Sequence, residues 1–254
     1  MSMHPHVEIS MLGKSFPTPS GPVEVVRNFS LRVARGEFVC LLGHSGCGKS
    51  TVLSIVMGLA QATVGGVIVA GREVDAPGTD RGVVFQSPAL LPWLSVRENV
   101  QLALDQGPAR GWLDPDHYLA AVGLGGMGDH QPRELSAGMQ QRVGIARAFA
   151  LHPGILLLDE PFSLLDALTR MELQETLMKL WEAEHKTVLM VTHDVDEALL
   201  LADRIVLMTK GPGATVGEIV KVPFARPRRR EAVLGHPEYY ALRDRIVGFL
   251  EGQA

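Results

Sequence analysis

Gly43-His44-Ser45-Gly46-Cys47-Gly48-Lys49-Ser50-Thr51 follows the apolar run Phe38-Val39-Cys40-Leu41-Leu42. It precedes a stretch with Val52, Leu53, Val56 and Leu59 at helical spacing. The nine residues fit the spacing G-x-x-x-x-G-K-[ST]. Glycines let a backbone wrap a phosphate without Cβ obstruction. Backbone N–H groups and the start of the following helix supply donors and a partial positive charge. Lys49 is expected to reach the β- and γ-phosphates of a nucleotide, Ser50 to ligate Mg²⁺ and Thr51 to donate to phosphate. A chance glycine turn would not bring strand, loop and helix into agreement in this way.

The pattern extends from this loop in both directions. Residues 29–33 alternate apolar and polar side chains, and 37–42, 67–70 and 82–85 are short apolar or β-branched runs, so the first third predicts strands. The middle changes period. Ser95 followed by Glu98 is a capping-box pattern opening a helix over 95–104, and further helices are expected over 116–122 and 140–151. The last third alternates again, with strand 155–158, helix 167–184, strand 186–192, helix 194–202 and strand 204–209. Such alternation predicts an α/β fold with a mainly parallel sheet. The predicted class is a P-loop NTPase core carrying an inserted helical subdomain over 87–151. The main domain is expected over 7–225. Residues 226–254, rich in Pro and Arg and then helical from 237 to 250, are expected to be a short C-terminal appendage.

Ile155-Leu156-Leu157-Leu158 ends in Asp159-Glu160. A buried strand that ends in carboxylates puts them at the C-terminal edge of a sheet, where ligands bind in open α/β folds. Asp159 is expected to hold Mg²⁺, directly or through water, and Glu160 to polarise an attacking water. Gln86, ending strand 82–85, could contact Mg²⁺ or that water; by itself it reads as a solvated loop residue. His193 closes strand 188–192 beside Asp194. A lone histidine is more often structural, but at this strand end a γ-phosphate contact is expected. The other histidines lack such a context, and His4 and His6 read as a frayed terminus.

The chain has 254 residues, 46% hydrophobic and 20% charged, which suits a substantial core and excludes a disordered composition. A net charge of -4 gives no electrostatic footprint for nucleic acid, so no such partner is expected. The one dense basic cluster, Arg226 with Arg228, Arg229 and Arg230, reads as a solvated tail or as a contact with a partner or lipid headgroup. Cys40 and Cys47 form no C-x-x-C pair, which argues against a zinc site or disulfide framework and fits a reducing compartment. Residues 1–10 lack the basic-then-apolar pattern of a secretion signal. No uninterrupted apolar run approaches the ~20 residues that span a bilayer. A membrane role is therefore expected to come through partners.

Leu135-Ser136-Ala137-Gly138-Met139-Gln140-Gln141-Arg142 separates this chain from other P-loop proteins. It resembles the signature segment of ABC ATPases. The order phosphate loop, Gln86, signature, acidic strand, Ser163-Leu164-Leu165-Asp166 and His193 is similar to that family's over 7–224. The resemblance implies a site shared by two subunits. In it, Ser136, Ala137, Gly138 and Gln140 face the γ-phosphate held by the opposite subunit, and Asp166 crosses the interface. Ala137 stands where the family usually has glycine, which is expected to alter affinity across the interface modestly. Leu164 stands where it commonly has alanine and is expected to repack that interface. Phe16 resembles the aromatic that stacks on adenine, a contact worth roughly 1 kcal/mol beyond burial. Its spacing to Gly43 is stretched by residues 17–22, and a core phenylalanine is the other reading.

Within the family, residues 87–100, Glu160-Pro161-Phe162 and Asp166-Ala167-Leu168-Thr169-Arg170 look like the nitrate, sulfonate and taurine importer ATPases. The tail over 217–240 looks most like the nitrate branch. The resemblance implies hydrolysis of ATP with Mg²⁺. It also implies a second ATPase subunit (identical or paralogous), two transmembrane permease subunits and a substrate-binding protein as partners. The chain is then expected to lie peripherally on the cytoplasmic face of the membrane, with the surface around 86–100 meeting a permease. Nitrate is the expected cargo, and an aliphatic sulfonate or taurine the alternative. The rival class is a soluble ABC ATPase uncoupled from transport. Such proteins usually carry a long coiled-coil insertion or tandem ATPase domains, and neither pattern occurs in this sequence.

Overall fold

The computed structural model describes residues 5–107 and 114–252. The chain folds as two compact units. One comprises the residues up to Gly78 and those from Thr187 onward; the other is Thr79–Lys186. His4, and residues 108–113 of the expected helical insert, lie outside the described residues.

The first unit opens with β1 (Val7–Phe16) and β2 (Val23–Val33), followed by β3 (Phe38–Leu42), α1 (Lys49–Met57), β4 (Val64–Val69) and β5 (Arg72–Glu73). Four of these strands make an antiparallel sheet in the order β2-β1-β4-β5. Its alternation is of the half-buried kind: Val7, Ile9, Leu31, Val33, Val67 and Val69 are buried, while Arg32 pairs with Glu8 at 2.9 Å on the other face.

The second unit contains β6 (Arg81–Val84), α2 (Val96–Gln106), α3 (Pro115–Ala121), α4 (Ala137–Ala150), β7 (Ile155–Asp159) and α5 (Ala167–Glu184). β6 and β7 pair in parallel, with Val84 opposite Leu158. The helix starts follow local chemistry. Ser95 Oγ accepts from Glu98 N at 3.2 Å and Glu98 Oε2 accepts from Ser95 N at 2.7 Å, a capping box complete in both directions. Asp114 caps α3, with Pro115 at the first helical position.

The chain then returns to the first unit as β8 (Thr187–Thr192), α6 (Val195–Leu201), β9 (Arg204–Met208), β10 (Val216–Lys221), α7 (Arg230–Leu234) and α8 (Tyr239–Gly252). β3 pairs in parallel with β8 on one side and β9 on the other, and β10 adds antiparallel to β9. Every residue of β3 and β8 is buried. An unbroken apolar run is what a parallel strand covered on both faces requires.

Two sequence expectations fail in this unit. His6 is not frayed: it is buried, its Nδ1 lies 2.5 Å from Thr187 Oγ1, and its N donates to Val33 O at 2.8 Å. Of the basic cluster, Arg226 and Arg228 are not a solvated tail, whereas Arg229 is exposed. Arg226 donates to Asp203 Oδ1 at 2.9 Å and Leu201 O at 2.6 Å. Arg228, buried, donates to Leu200 O at 3.2 Å and Ala202 O at 2.6 Å. These carbonyls end α6, where helical partners run out and positive charge is favoured.

Candidate active site

In the first unit, Leu42 of β3 is paired with Thr192 of β8. The phosphate loop and His193 therefore leave the same sheet edge side by side. Gly46 (φ 77) and Gly48 (φ 100) hold left-handed backbone, which glycine adopts without strain. Space is a second constraint at Gly48, where a Cβ would lie 2.8 Å from Val26 Cγ2. Lys49 is buried beneath the loop, its Nζ donating to Gly43 O at 2.8 Å and His44 O at 2.9 Å. Ser45 and Gly46 are exposed at the loop's crest, and Ser50 and Thr51 lie in the first turn of α1, whose N–H groups have no helical acceptor. Burial pushes the Cys47 thiol up, against the pull of Lys49, so that it stays protonated.

His193 is exposed, and the turn that presents it is tied from below. Asp194 N donates to Thr192 Oγ1 at 3.1 Å, Asp194 Oδ1 accepts from Glu197 N at 3.0 Å, and Thr192 Oγ1 bonds the Glu197 carboxylate. Phe16, at the end of β1, is 41% exposed, which removes the reading of a core phenylalanine. Lys14 Nζ lies 4.9 Å from its ring centroid.

In the second unit, the register of β6 with β7 brings the segments holding Gln86 and Glu160 out at neighbouring strand ends. Asp159 and Glu160 are both half-buried, and Glu160 has φ 43, an unusual backbone for a residue with a side chain. Its carbonyl accepts from Ser163 N at 3.2 Å and from Ser163 Oγ at 3.0 Å, and Gln86 Nε2 donates to that hydroxyl at 3.0 Å. The sequence places Ser163 in the segment that ends in Asp166 and gives it no role of its own. Its position three residues after Glu160, in turn spacing, is the one local signal that could have found it.

The segment after Gln86 is held from within the same unit. Gln141 donates to Phe85 O at 3.0 Å, and Arg147 to Pro88 O and Ala89 O, each at 3.0 Å. Asn99, fully buried, accepts from Leu91 N and donates to Leu91 O, Leu94 O and Ser95 O. On this pinned segment Trp93 is 72% exposed. Asn99, Gln141 and Arg147 are further residues whose roles appear only in the fold.

Ser136 is the N-cap of α4, its Oγ accepting from Met139 N at 3.3 Å. Ala137 is exposed at the first helical position. Gly138 is buried, and a Cβ there would lie 2.4 Å from Thr169 Cγ2 of α5. The Gln140 amide donates to Leu135 O at 3.1 Å. Asp166 caps α5, accepting from Leu168 N and Thr169 N, each at 3.1 Å, and the hydrogen bonds from Thr169 hold its carboxyl below the usual range. Leu164 is 64% exposed.

Among the described residues no group of three or more His, Cys, Asp or Glu is placed to hold a metal ion. Mg²⁺ held mainly by phosphate oxygens and water needs only one or two protein oxygens. Ser50 in the first unit and Asp159 in the second each carry an oxygen of the type that Mg²⁺ takes.

A glycine-built phosphate loop between a parallel strand and a helix, beside a histidine on the neighbouring strand end, defines a P-loop ATPase. The chain belongs to the ABC transporter family, whose model matches residues 26–163. It is 52% identical over 246 residues to the nitrate import ATP-binding protein NrtD of Synechococcus elongatus, covering 94% of this chain and 89% of that protein. It is 51% identical over 247 residues to the bicarbonate transport ATP-binding protein CmpD of Synechocystis sp., covering 95% and 88%. Among solved structures it is similar to the ATP-binding cassette MJ0796, a dimer in a post-hydrolysis state bound to ADP and Pi. There the identity is 32% and the TM-score 0.74, over 86% of this chain and 100% of that one. The α/β ABC ATPase fold and the ATPase class expected from the sequence are therefore correct. No helix among the described residues is long and apolar enough to cross a membrane.

Proposed function

We propose that the chain is the ATP-hydrolysing subunit of an importer for a small anion, with nitrate as the cargo. The observation that carries this reading is the similarity to a nitrate import ATP-binding protein over 94% of the chain. Residues 7–225 act as the nucleotide-binding domain, with 87–151 as its helical insert and 226–254 as an appendage.

The chemistry is phosphoryl transfer to water, in which positioning and charge neutralisation supply most of the catalysis. The backbone N–H groups from His44 to Cys47, with Gly43 and Gly48 giving room and Lys49 giving charge, hold the β- and γ-phosphates. Thr51 donates to phosphate and His193 contacts the γ-phosphate. Glu160 orients and deprotonates the attacking water. Ser50, Asp159 and Gln86 would hold Mg²⁺, which neutralises phosphate charge when bound. Phe16 stacks on adenine. Ser136, Ala137, Gly138, Gln140 and Asp166 act on the ATP of a second ATPase subunit, a copy or a paralogue. Trp93, on its pinned segment, meets one of two transmembrane permease subunits, and a substrate-binding protein delivers the anion. The chain works at the cytoplasmic face of the membrane as a peripheral subunit.

The test is to co-express the chain with its permease and binding-protein partners, reconstitute the complex in liposomes, and measure ATP hydrolysis with nitrate, bicarbonate or a small alkyl sulfonate. Glu160→Gln serves as the blank. Stimulation by nitrate alone supports the whole reading. Stimulation by bicarbonate or the sulfonate keeps the transporter ATPase and changes the cargo. Hydrolysis with no recoverable membrane partner would favour the soluble class.

A further inference from the structure

Helix α8 is attached to the rest of the first unit along its length. Tyr239 Oη and Arg243 Nε both donate to Asp196 Oδ1 at 2.8 Å, near the start of α6. Arg245 pairs with Glu218 of β10. The Phe249 ring lies over Gly217, where a Cβ would be 2.5 Å from Cζ. In the last turn, His44 Nε2 lies 2.7 Å from Leu250 O. A carbonyl oxygen only accepts, so Nε2 carries the proton and donates.

His44 is the second residue of the phosphate loop, and its own carbonyl accepts from Lys49 Nζ at 2.9 Å and Cys47 N at 3.3 Å. One residue thus joins the last turn of α8 to the loop lysine. The loop's glycines leave its backbone many alternatives, and a loop ordered before its ligand arrives avoids that ordering cost on binding.

We propose that His44 is a positioning residue: through it, the docked end of α8 holds the phosphate loop in the shape that receives ATP. The inference rests on the reading that residues 43–51 bind ATP. Because linkage is reciprocal, nucleotide in the loop tightens α8 against its unit.

The test uses the full chain and a fluorescent, non-hydrolysable ATP analogue, read by binding titration and by amide hydrogen exchange along α8. Wild type binds, and the analogue slows exchange over 246–252. His44→Ala binds about 3–10-fold more weakly, the span of one net hydrogen bond, and the analogue no longer changes exchange in α8. His44→Gln, whose amide can donate to the same carbonyl, recovers most of both effects. Arg243→Ala loosens α8 from Asp196 without touching the loop; it weakens binding in the wild-type background and not in His44→Ala. Wild-type affinity in His44→Ala, or the same effect of Arg243→Ala in both backgrounds, overturns the proposal. Failure of the wild-type protein to bind the analogue at all would instead overturn the nucleotide reading beneath it.

Discussion

Gln86 is tied to the backbone of Glu160 through a single hydroxyl, that of Ser163. Ser163 Oγ accepts from Gln86 Nε2 at 3.0 Å and donates to Glu160 O at 3.0 Å, which uses its one proton consistently. Glu160 itself sits at φ 43, a conformation that costs of order 1–3 kcal/mol and persists where surrounding bonds over-determine it. The two bonds from Ser163 to its carbonyl are restraints of that kind. A shift at Gln86 therefore has a direct mechanical route to the proposed water-activating residue.

Ser163→Ala removes that route and leaves the phosphate loop untouched. Steady-state ATP hydrolysis is expected to fall about 5–20-fold, with the ATP dissociation constant changed less than about twofold, as for a positioning group acting on the chemical step. Turnover at the wild-type rate would show that Glu160 holds its place without the hydroxyl.

Glu160→Gln keeps the size and shape of the side chain but replaces one carboxylate oxygen by an amide N–H₂, which removes the base. It should bind ATP with near wild-type affinity and lose at least about 100-fold in turnover, the low end of general-base contributions. A single-turnover assay with labelled ATP decides the matter; hydrolysis within a few-fold of wild type would move the base elsewhere.

Arg228→Leu is expected to be the most destabilising of these changes. The Arg228 side chain is 1% exposed, donates to Phe224 O, Leu200 O and Ala202 O, and lies 3.5 Å from Asp203. Its loss leaves carbonyls at the end of α6 without donors, at a cost of about 2–4 kcal/mol. Chemical denaturation should show a lower midpoint at unchanged slope. A midpoint at the wild-type value would mean that water replaces the guanidinium freely.

Acid sensitivity should trace in part to His152. Its Nε2 is hydrogen-bonded to Tyr118 Oη. Burial pushes the Tyr118 hydroxyl up to about 12, so it keeps its proton as the donor, and burial lowers the His152 pKa. The unfolded chain then binds a proton more readily than the folded one. Stability is therefore lost as pH falls below about 6.5 and levels off beneath the folded value. His152→Asn suits the left-handed backbone there (φ 51) and cannot titrate. Urea midpoints at pH 7.5 and 5.5 should differ less in this variant than in wild type; equal differences would place the acid sensitivity elsewhere.

The parts of the fold with strong local signals were legible in the sequence. α5 runs over the expected residues 167–184, Ser95 and Glu98 form the anticipated cap, and the phosphate loop lies between the anticipated strand and helix. The site residues missed are those whose roles are non-local. Ser163 meets Gln86 across 77 positions, and no spacing rule links them. His6 looks terminal until Thr187, 181 residues away, supplies its partner. Arg226 and Arg228 read as a basic tail because charge counting does not reveal that the last carbonyls of α6 need donors. β10 is not predicted as a strand because, among the described residues, it pairs along β9 alone, and Val220 is its one buried residue, so its apolar signal is weak.

At the start of α4, a methyl group at 137 is exposed, whereas one at 138 would enter Thr169. A side chain at 138 therefore displaces the Thr169 side chain or moves α4 away from α5, whether or not any nucleotide is near. Inactive variants at Gly138 would report on the seam between two helices. How closely a phosphate can approach this helix start is better measured at position 137, by comparing Ala137→Gly with the natural alanine.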